Sequence, residues 1–454
     1  MRTLVIATLL AFAPAPAADT VGAPGIGDAY YPLDGNGGYD VTHYDLRLSY
    51  QPLTDELWGT TTVLATATQD LTRFDLDFLL RTSAVRVNNA PARFVSQEDG
   101  ELVVTPATRI AKGDRMVIAV TYRDKPSTHE RYGFTAWWWT PTLTRGLGEP
   151  HIAPWWYPAN DHPRDKATYD VSVAVPDGKE VISNGTLAGT RRQPGGWVRW
   201  NWRSTSPQGP YQTSLLVGDF DIVRRTLPDG RAFINAYDTS IPNRTDAEAL
   251  IDRTPEIVAW ESSVFGDYPF DAMGGTVTPC CDGLENQTRP TYGADLAPVG
   301  PGVVVHEMAH MWFGDSVSLH DWRDIWLNEG FATYAEWLWS EHTGAATAAQ
   351  RARETYDGYP AKDPFWQTIV ADPGERDLFA SSVYERGALA LHALRAAVGD
   401  TTFFRILRTW AATHEGGVAT TGEFIELAER LAGRDLGTLF HTWLEVPTKP
   451  RTLP

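Results

Sequence analysis

The chain has 454 residues, of which 43% are hydrophobic and 21% charged, so it is long enough for several packed domains and too apolar to be disordered. Acidic residues outnumber basic ones by 57 to 39, and the resulting net charge of −18 argues against nonspecific binding to nucleic acid or anionic membranes. Two cysteines are too few for a disulfide scaffold, and the 18 tryptophans indicate aromatic packing instead.

The first 18 residues have the pattern of a secretory signal. Met1-Arg2 precedes an apolar run from Leu4 to Phe12, and the small residues up to Ala18 offer an A-x-A cleavage site. We expect a mature protein that begins near Asp19 and is secreted, either outside the cell or into a periplasm. The apolar run is shorter than the about 20 residues of a membrane span. No membrane span is expected here or later in the chain.

Alternating polar and apolar residues predict β-strands between about residues 39 and 223. Examples are 41–48, 116–122, 168–175 and 197–202, separated by turn-forming breaks such as 176–178. The predicted fold is α+β and multidomain, with an N-terminal antiparallel β-sandwich or saddle domain over 19–224. A mainly helical domain is expected over 225–447, followed by a tail over 448–454.

Helical periodicity dominates after about residue 226. Helices are predicted over 247–265, 302–313, 328–341, 384–398, 402–413 and 424–431. Thr420 and Glu423 form a capping-box pattern, which predicts the start of the last of these helices.

Cys280 and Cys281 are adjacent, and the sequence leaves their redox state open. Export makes an oxidised pair chemically plausible. Neighbouring Cα atoms lie only about 3.8 Å apart, which is short for a disulfide. Two buried free thiols are therefore the alternative to a vicinal disulfide.

The segment HEMAH, residues 306–310, predicts a metal site. On a helix, His306 and His310 project from one face and can both reach one Zn²⁺, while Glu307 lies beside the metal and can accept a proton from water. Glu329, after 18 intervening residues, is the expected third ligand. Two histidines and one glutamate with an open fourth position form a hydrolytic zinc arrangement. The alternative, a solvent-facing helix, does not explain the apolar flanks over 303–305 and 311–313.

HEMAH, the 18-residue gap and LNEGFATYAE together resemble the aminopeptidase N family of zinc metallopeptidases, the gluzincins, over roughly residues 39–447. The resemblance implies a thermolysin-like catalytic domain and one bound zinc ion. It also implies that His306, His310 and Glu329 are the ligands and that Glu307 is the general base. The expected substrates are peptides with a free N-terminus, which lose their first residue.

Four further positions follow from the same resemblance. Tyr384, in SVYERG, matches the tyrosine that stabilises the tetrahedral oxyanion, a role suited to a phenol donor. Residues 282–286 match the exopeptidase motif G-x-M-E-N, so Glu285 is expected to bind the substrate ammonium, with Gly283 and Asn286 as further substrate-binding positions.

Two features qualify that match and extend it. Asp282 and Leu284 depart from the motif, which leaves the path of the bound peptide open. Glu149, ahead of a Pro-x-x-Asp turn, resembles a second carboxylate of the amine pocket. Two acids around one ammonium compensate a desolvated cation better than one.

Several alternatives stay open at the level of sequence. Glu336 and Asp324 can orient ligand imidazoles, or they are solvated or capping residues. A zinc endopeptidase using the same metal site is the rival activity, and a catalytically silent binding scaffold is the rival class. The sequence does not predict the preferred N-terminal side chain or the oligomeric state. Many family members continue into a large helical C-terminal domain, whereas this chain stops soon after residue 447, so a more open cleft is expected.

Overall fold

The computed structural model describes residues 20–279 and 283–454. The predicted signal segment, Cys280, Cys281 and Asp282 therefore lie outside the described residues, and the predictions made for them stay predictions. No helix among the described residues is long and apolar enough to cross a bilayer.

The first part of the described chain is built from β-strands. They are β1 (Tyr39–Gln51), β2 (Glu56–Ala67), β3 (Thr82–Val87), β4 (Ala90–Pro91), β5 (Arg93–Ser96), β6 (Leu102–Thr105), β7 (Arg115–Asp124), β8 (Trp137–Trp139), β9 (Thr144–Gly146), β10 (Ala167–Pro176), β11 (Glu180–Ile182), β12 (Thr186–Gln193), β13 (Trp197–Gln208) and β14 (Leu215–Gly218). Buried and exposed residues alternate along strands such as β1 and β7, because one face of the sheet packs on the core.

These strands form two main sheets with a shared core. The large sheet has the order β12-β13-β10-β1-β2-β7-β3-β4, and the smaller has the order β11-β14-β9-β8. Pairing is antiparallel except between β1 and β10, which run parallel. Leu46 of β1 and Val217 of β14 belong to one buried hydrophobic cluster, which joins the two sheets. The predicted β-rich N-terminal domain is confirmed.

The second part mixes a small sheet with helices. Its elements are β15 (Phe220–Thr226), β16 (Ala232–Asp238), α1 (Thr245–Ile251), α2 (Thr254–Phe265), β17 (Ala272–Thr278), β18 (Thr291–Gly293), α3 (Gly302–Ala309), β19 (Ser318–Leu319), α4 (Trp326–His342), α5 (Ala348–Gly358), α6 (Gly387–Val398), α7 (Asp400–Thr413), β20 (Val418–Ala419), α8 (Thr421–Ala432) and α9 (Gly437–Phe440). Two π-helical segments, Ser382–Arg386 and His441–Glu445, and four short 3-10 helices, Ala294–Val299, Trp322–Asp324, Pro364–Trp366 and Glu375–Asp377, complete the list. The predicted domain boundary falls inside β15 and stays a prediction.

The structure changes three of the predicted helices. The helix predicted over 247–265 is two helices, because Pro255 lies in the first turn of α2 and begins a new helix. The helix predicted over 302–313 ends at Ala309, where the following turn tightens to hydrogen bonds between residues three apart, such as Trp312 N to Ala309 O. The helix predicted over 384–398 begins as the π-helix Ser382–Arg386.

Strands also occur where helix was expected. β15 to β18 form a sheet whose β16–β17 and β17–β18 pairs are parallel. Every residue of β17 is buried, so the strand lacks the alternation that reveals a half-exposed strand. The capping box of α8 is confirmed, since the Thr420 side chain accepts from Glu423 N. Helices α3, α4, α6 and α7 contribute to one large buried cluster that also includes β17.

Candidate active site

Helices α3 and α4 bring the three predicted metal ligands together. His306 lies near the end of α3, His310 caps that helix, and Glu329 lies in the first turn of α4. Glu329 Oε2 is 3.3 Å from His306 Nε2 and 3.6 Å from His310 Nε2. Neither His310 nor Glu329 is more than 3% exposed. Two nitrogen atoms and one oxygen atom that can bind a metal thus converge in a buried site.

Each imidazole is held so that Nε2 faces Glu329. The Nδ1 atom of His306 lies 2.8 Å from Glu336 Oε1, and His310 Nδ1 lies 3.0 Å from the carbonyl oxygen of Phe313. Glu336 therefore contacts the predicted ligand His306, which agrees with the alternative that Glu336 orients a ligand imidazole. Asp324 does not, because its carboxylate accepts from Thr421 N and Oγ1 at the start of α8.

This donor set fits a zinc ion. Tetrahedral zinc with N and O ligands at about 2.0–2.2 Å holds its ligand atoms about 3.4 Å apart. The two measured separations between histidine and glutamate atoms bracket that value. All three ligand atoms lie within 4.8 Å of one another. Fixing Nδ1 by a second hydrogen bond is the usual way in which proteins orient a metal-binding histidine.

Glu307 lies next to this set, pressed against the backbone of Gly283. A Cβ added at Gly283 would lie 2.0 Å from Glu307 Oε1, so a larger residue at this position would displace the Glu307 carboxylate. Leu284 holds the segment in place, because its N–H and C=O both bond to Thr291 of β18 at 2.9 Å. The described part of the predicted substrate-binding segment is therefore bridged to β18 at Leu284 and passes beside the general-base candidate.

Glu149 and Glu285 face the same place from opposite parts of the chain. Glu285 is 4% exposed, and its Oε1, like the Oε1 of Glu149, has no hydrogen-bond partner among the described residues. One carboxylate oxygen from each lies within 4.8 Å of an oxygen of Glu329. Asn286, unlike these two glutamates, is not among the residues that line the cavity. Its amide oxygen accepts from Thr291 Oγ1, and its side chain is buried. Its substrate-binding role stays a prediction.

The electrostatics show a cavity short of positive charge. Burial, and then the carboxylate of Glu285, raise the pKa of Glu149 well above the usual range. Burial also raises the pKa of Glu285, where His310 opposes the shift and Glu329 adds to it. Burial raises the pKa of Glu307 to about 8, although both histidines oppose the shift. Burial acts on Glu329 in the same direction, but His310 and His306 hold its pKa at about 2. A cation of any kind would be stabilised here.

Tyr384 lines the same site as Glu329 and lies beside His306. Its ring lies 6.0 Å from the His306 ring, nearly parallel to it, and burial with the nearby Glu329 keeps the pKa of the phenol far above its usual range. The hydroxyl is therefore a hydrogen-bond donor at neutral pH.

A close helix contact sets the position of Tyr384. A Cβ added at Gly387 would lie 2.9 Å from Gly330 Cα, which means that α4 and α6 touch through two glycines. Gly330 follows the ligand Glu329 directly, so this contact fixes the distance between the two functional residues.

These side chains line one cavity of about 480 Å³. Its lining consists of the predicted residues Glu149, Gly283, Glu285, His306, Glu307, His310, Glu329 and Tyr384, together with Leu284 and Phe379. Phe379 was not predicted. It lies in a loop five positions before Tyr384 and is 39% exposed, and an isolated loop phenylalanine carries no sequence pattern that marks it.

Two family domains match this chain. Residues 300–443 match the Peptidase family M1 domain, and residues 41–211 match the Peptidase M1 N-terminal domain. The first contains the HEMAH segment, Glu329 and Tyr384, and the second contains Glu149.

Sequence relatives are aminopeptidases of greater length. An aminopeptidase N from Streptomyces lividans is 31% identical over 63% of this chain and 36% of its own length. An aminopeptidase N from Lactobacillus delbrueckii subsp. lactis is 24% identical over 90% of this chain and 51% of its own length. The chain thus spans about a third to a half of the length of these relatives.

Solved structures match over almost their whole length. A mutant M1 zinc metallopeptidase from Deinococcus radiodurans bound to a Tyr-Ser-Ala substrate is 30% identical, with a TM-score of 0.84 over 95% of this chain and 99% of that one. A two-domain M1 zinc metallopeptidase mutant bound to L-tryptophan is also 30% identical, with a TM-score of 0.81 over the same shares.

Proposed function

Because the chain belongs to the M1 family of zinc metallopeptidases, we propose that it is a zinc-dependent aminopeptidase that removes the first residue from peptides. One observation carries the proposal: Glu149 and Glu285 line the cavity that also holds His306, His310 and Glu329, and the Oε1 atom of each has no hydrogen-bond partner among the described residues. A substrate ammonium supplies the cation that these two acids lack. The Tyr-Ser-Ala peptide bound by the Deinococcus radiodurans protein supports peptides as the substrate class.

The proposed reaction assigns one task to each side chain. Zinc held by His306, His310 and Glu329 supplies Lewis acidity, which polarises a carbonyl oxygen and makes water more acidic. Glu307 accepts the proton of the attacking water and then delivers it to the leaving amine. Tyr384 donates a hydrogen bond to the oxygen that becomes negative.

Removal of a single residue follows from the amine pocket. Glu149 and Glu285 accept hydrogen bonds from the α-ammonium, which fixes the N-terminus beside the ligand set. A peptide bond further along the chain cannot reach Glu307 while the ammonium is held there. An acetylated N-terminus offers no cation and leaves both carboxylates unpaired.

The test compares aminoacyl anilides with their N-acetylated forms, each with a chelator and with zinc added back. We expect turnover of the free amine only, lost with the chelator and restored by zinc. Glu307→Gln should lower kcat by about 10³-fold or more while retaining zinc, as measured by elemental analysis. Equal turnover of blocked and free substrates would instead indicate an endopeptidase, and turnover of no peptide would favour a binding scaffold.

We also propose that the protein is exported. The support is the charged, apolar and small-residue order of the first 18 residues. N-terminal sequencing of protein from an exporting host should find a mature end near Asp19, and protein that stays inside the cell with Met1 intact would contradict the proposal.

A further inference from the structure

The segment from Thr20 to Asn36 precedes β1 and joins the two halves of the molecule. At its start, Thr20 O accepts from Thr72 N at 2.7 Å, next to the β-sheet domain. Further along, Tyr31 packs in the buried cluster of the helical domain. We call residues 20–36 the strap.

Asp28 fixes the strap where the two domains meet. Its carboxylate accepts from Tyr30 N at 2.7 Å, from Tyr31 N at 3.1 Å and from Trp322 N at 2.9 Å. The same carboxylate lies 3.2 Å from His162 Nε2. His162 precedes β10 and Trp322 precedes α4, so Asp28 ties both domains to one turn of the strap. That turn determines where Tyr30 and Tyr31 point.

Tyr30 reaches the loop that carries Phe379. The Tyr30 hydroxyl donates to Asp372 Oδ1 at 2.5 Å and accepts from Gly374 N at 2.8 Å. Gly374 has a φ of 82°, so the chain turns sharply there into the segment that leads to Phe379. At the far end of this loop, Leu378 is buried in the core. The Tyr30 hydroxyl thus holds the first part of the loop, next to the bond from Ala371 N to Leu444 O, and buried Leu378 holds its last part.

Tyr31 contacts the other side of the cavity. Its ring packs edge-on against the buried His151 ring at 4.6 Å, and His151 lies two residues after Glu149. Two adjacent residues of the strap therefore support two different walls of one cavity, the Phe379 loop and the Glu149 turn.

We propose that Tyr30 is a positioning residue for substrate selection, which holds the loop from Asp372 to Phe379 at the cavity wall. The inference rests on the proposed function, since it concerns how the substrate's first residue is accommodated. Phe379 lines the same cavity as Glu149, Leu284 and Glu285. Any shift of its loop changes the space beside the bound N-terminal residue and leaves the zinc ligands, on α3 and α4, in place.

The experiment compares wild type with Tyr30→Phe in the full-length, zinc-loaded protein. Tyr30→Phe removes both hydrogen bonds and keeps the ring. For phenylalanyl and leucyl anilides we expect KM to rise about three- to tenfold with kcat within twofold, from the loss of one or two hydrogen bonds. For the alanyl anilide KM should stay within twofold, because a methyl side chain does not reach the displaced wall.

Two further variants separate positioning from loss of stability. Asp372→Asn keeps an oxygen acceptor for the Tyr30 hydroxyl and should behave as wild type, whereas Asp372→Ala should resemble Tyr30→Phe. Tyr356→Phe is the matched control, because it removes a 2.5 Å hydrogen bond to Pro450 O, and neither residue is among those that line the cavity. It should leave the ratio of the phenylalanyl and alanyl KM values unchanged.

Hydrogen exchange gives a readout independent of activity. The Gly374 amide should exchange at least about tenfold faster in Tyr30→Phe than in wild type, and the Tyr356→Phe rate should match wild type. Unchanged exchange at Gly374, or faster exchange with unchanged KM ratios, would overturn the inference. Faster exchange in a protein whose wild type cleaves no anilide would refute the proposed function and leave only the anchoring of the loop.

Discussion

Glu261 is a buried carboxyl group that the proposed reaction does not use. It lies on α2 with no measurable exposure, and neither of its oxygens has a hydrogen-bond partner among the described residues. Burial raises its pKa well above the usual 4.5. The folded chain therefore keeps a proton that the unfolded chain releases, and the free energy of unfolding falls as the pH rises above about 4.5.

Glu261→Gln should remove this pH-dependent cost. We expect no difference from wild type near pH 4 and a gain of about 1–3 kcal/mol in the free energy of unfolding by pH 8. Urea unfolding at several pH values measures the difference. Glu426→Gln, at an exposed position of α8, is the control and should leave the pH profile of wild type nearly unchanged. Parallel profiles for Glu261→Gln and wild type would contradict the argument.

Local spacing allowed some residues to be predicted and left others hidden. The four-residue step from His306 to His310 follows from helix geometry, which a single segment of sequence contains. Glu329 was expected from its spacing of 18 residues after the HEMAH segment. The hydrogen bond between Tyr30 and Asp372 joins residues 342 positions apart, and the contact of Phe379 with the cavity depends on a loop. Neither has a periodic signal, so only the fold could reveal it.

The position of Tyr384, the proposed oxyanion donor, depends on the contact between α4 and α6. Gly387→Ala should push the two helices apart, because the new Cβ would meet the backbone of Gly330 and backbone atoms cannot rotate away. We expect a loss of about 1–3 kcal/mol in stability and a fall in kcat larger than any change in KM. Gly358→Ala, in α5, has open space at the Cβ and should be neutral or slightly stabilising. Unchanged kcat in Gly387→Ala would show that the contact does not set the position of Tyr384.

The π-helix Ser382–Arg386 is anchored by a buried arginine. Arg386 has no measurable exposure, and its guanidinium donates to the carbonyl oxygens of Trp366, Thr368, Thr442 and Val446. A lysine side chain has one nitrogen and cannot donate to all four carbonyl oxygens. Arg386→Lys should therefore lower kcat about tenfold, because Tyr384 lies on the same turn, and leave KM within twofold. Steady-state kinetics on active-site-titrated protein checks this, and a change in KM alone would argue for a different role.

At the element scale, sequence patterns failed where burial is complete. β17 is buried on both faces and sits among helices, so its sequence lacks alternation. The helix predicted over 247–265 breaks at Pro255, a residue that favours the first turn of a new helix. The β-rich half was predicted well because strands such as β1 and β7 have one exposed face.

The whole molecule places its acids unevenly. The chain has a net charge of −18, and four of its carboxylates line one cavity: Glu149, Glu285, Glu307 and Glu329. Two imidazoles are the basic groups among the lining residues. In the metal-free chain burial raises the pKa values of Glu149, Glu285 and Glu307, and the neighbouring carboxylates act in the same direction.

These shifts predict how zinc removal depends on pH. Glu149, Glu285 and Glu307 have raised folded pKa values, so the metal-free protein loses stability as the pH rises above about 4.5. His310 acts in the same direction: although burial opposes it, Glu329 raises its pKa to about 9, and the stability it contributes is lost as the pH rises through that value. Glu329, with its pKa at about 2, contributes a constant amount over this range.

Zinc should therefore stabilise the protein more at high pH than at low pH. Its charge compensates the ionised carboxylates, and its ligands bind only when deprotonated. We expect the rise in Tm on adding zinc to the chelator-treated protein to be at least about 5 °C larger at pH 8 than at pH 5. Calorimetry at both pH values measures it, with His310→Ala as a control in which the zinc effect should nearly vanish. A zinc-induced Tm shift that is equal at pH 5 and pH 8 would mean that the buried carboxylates are not coupled to the metal.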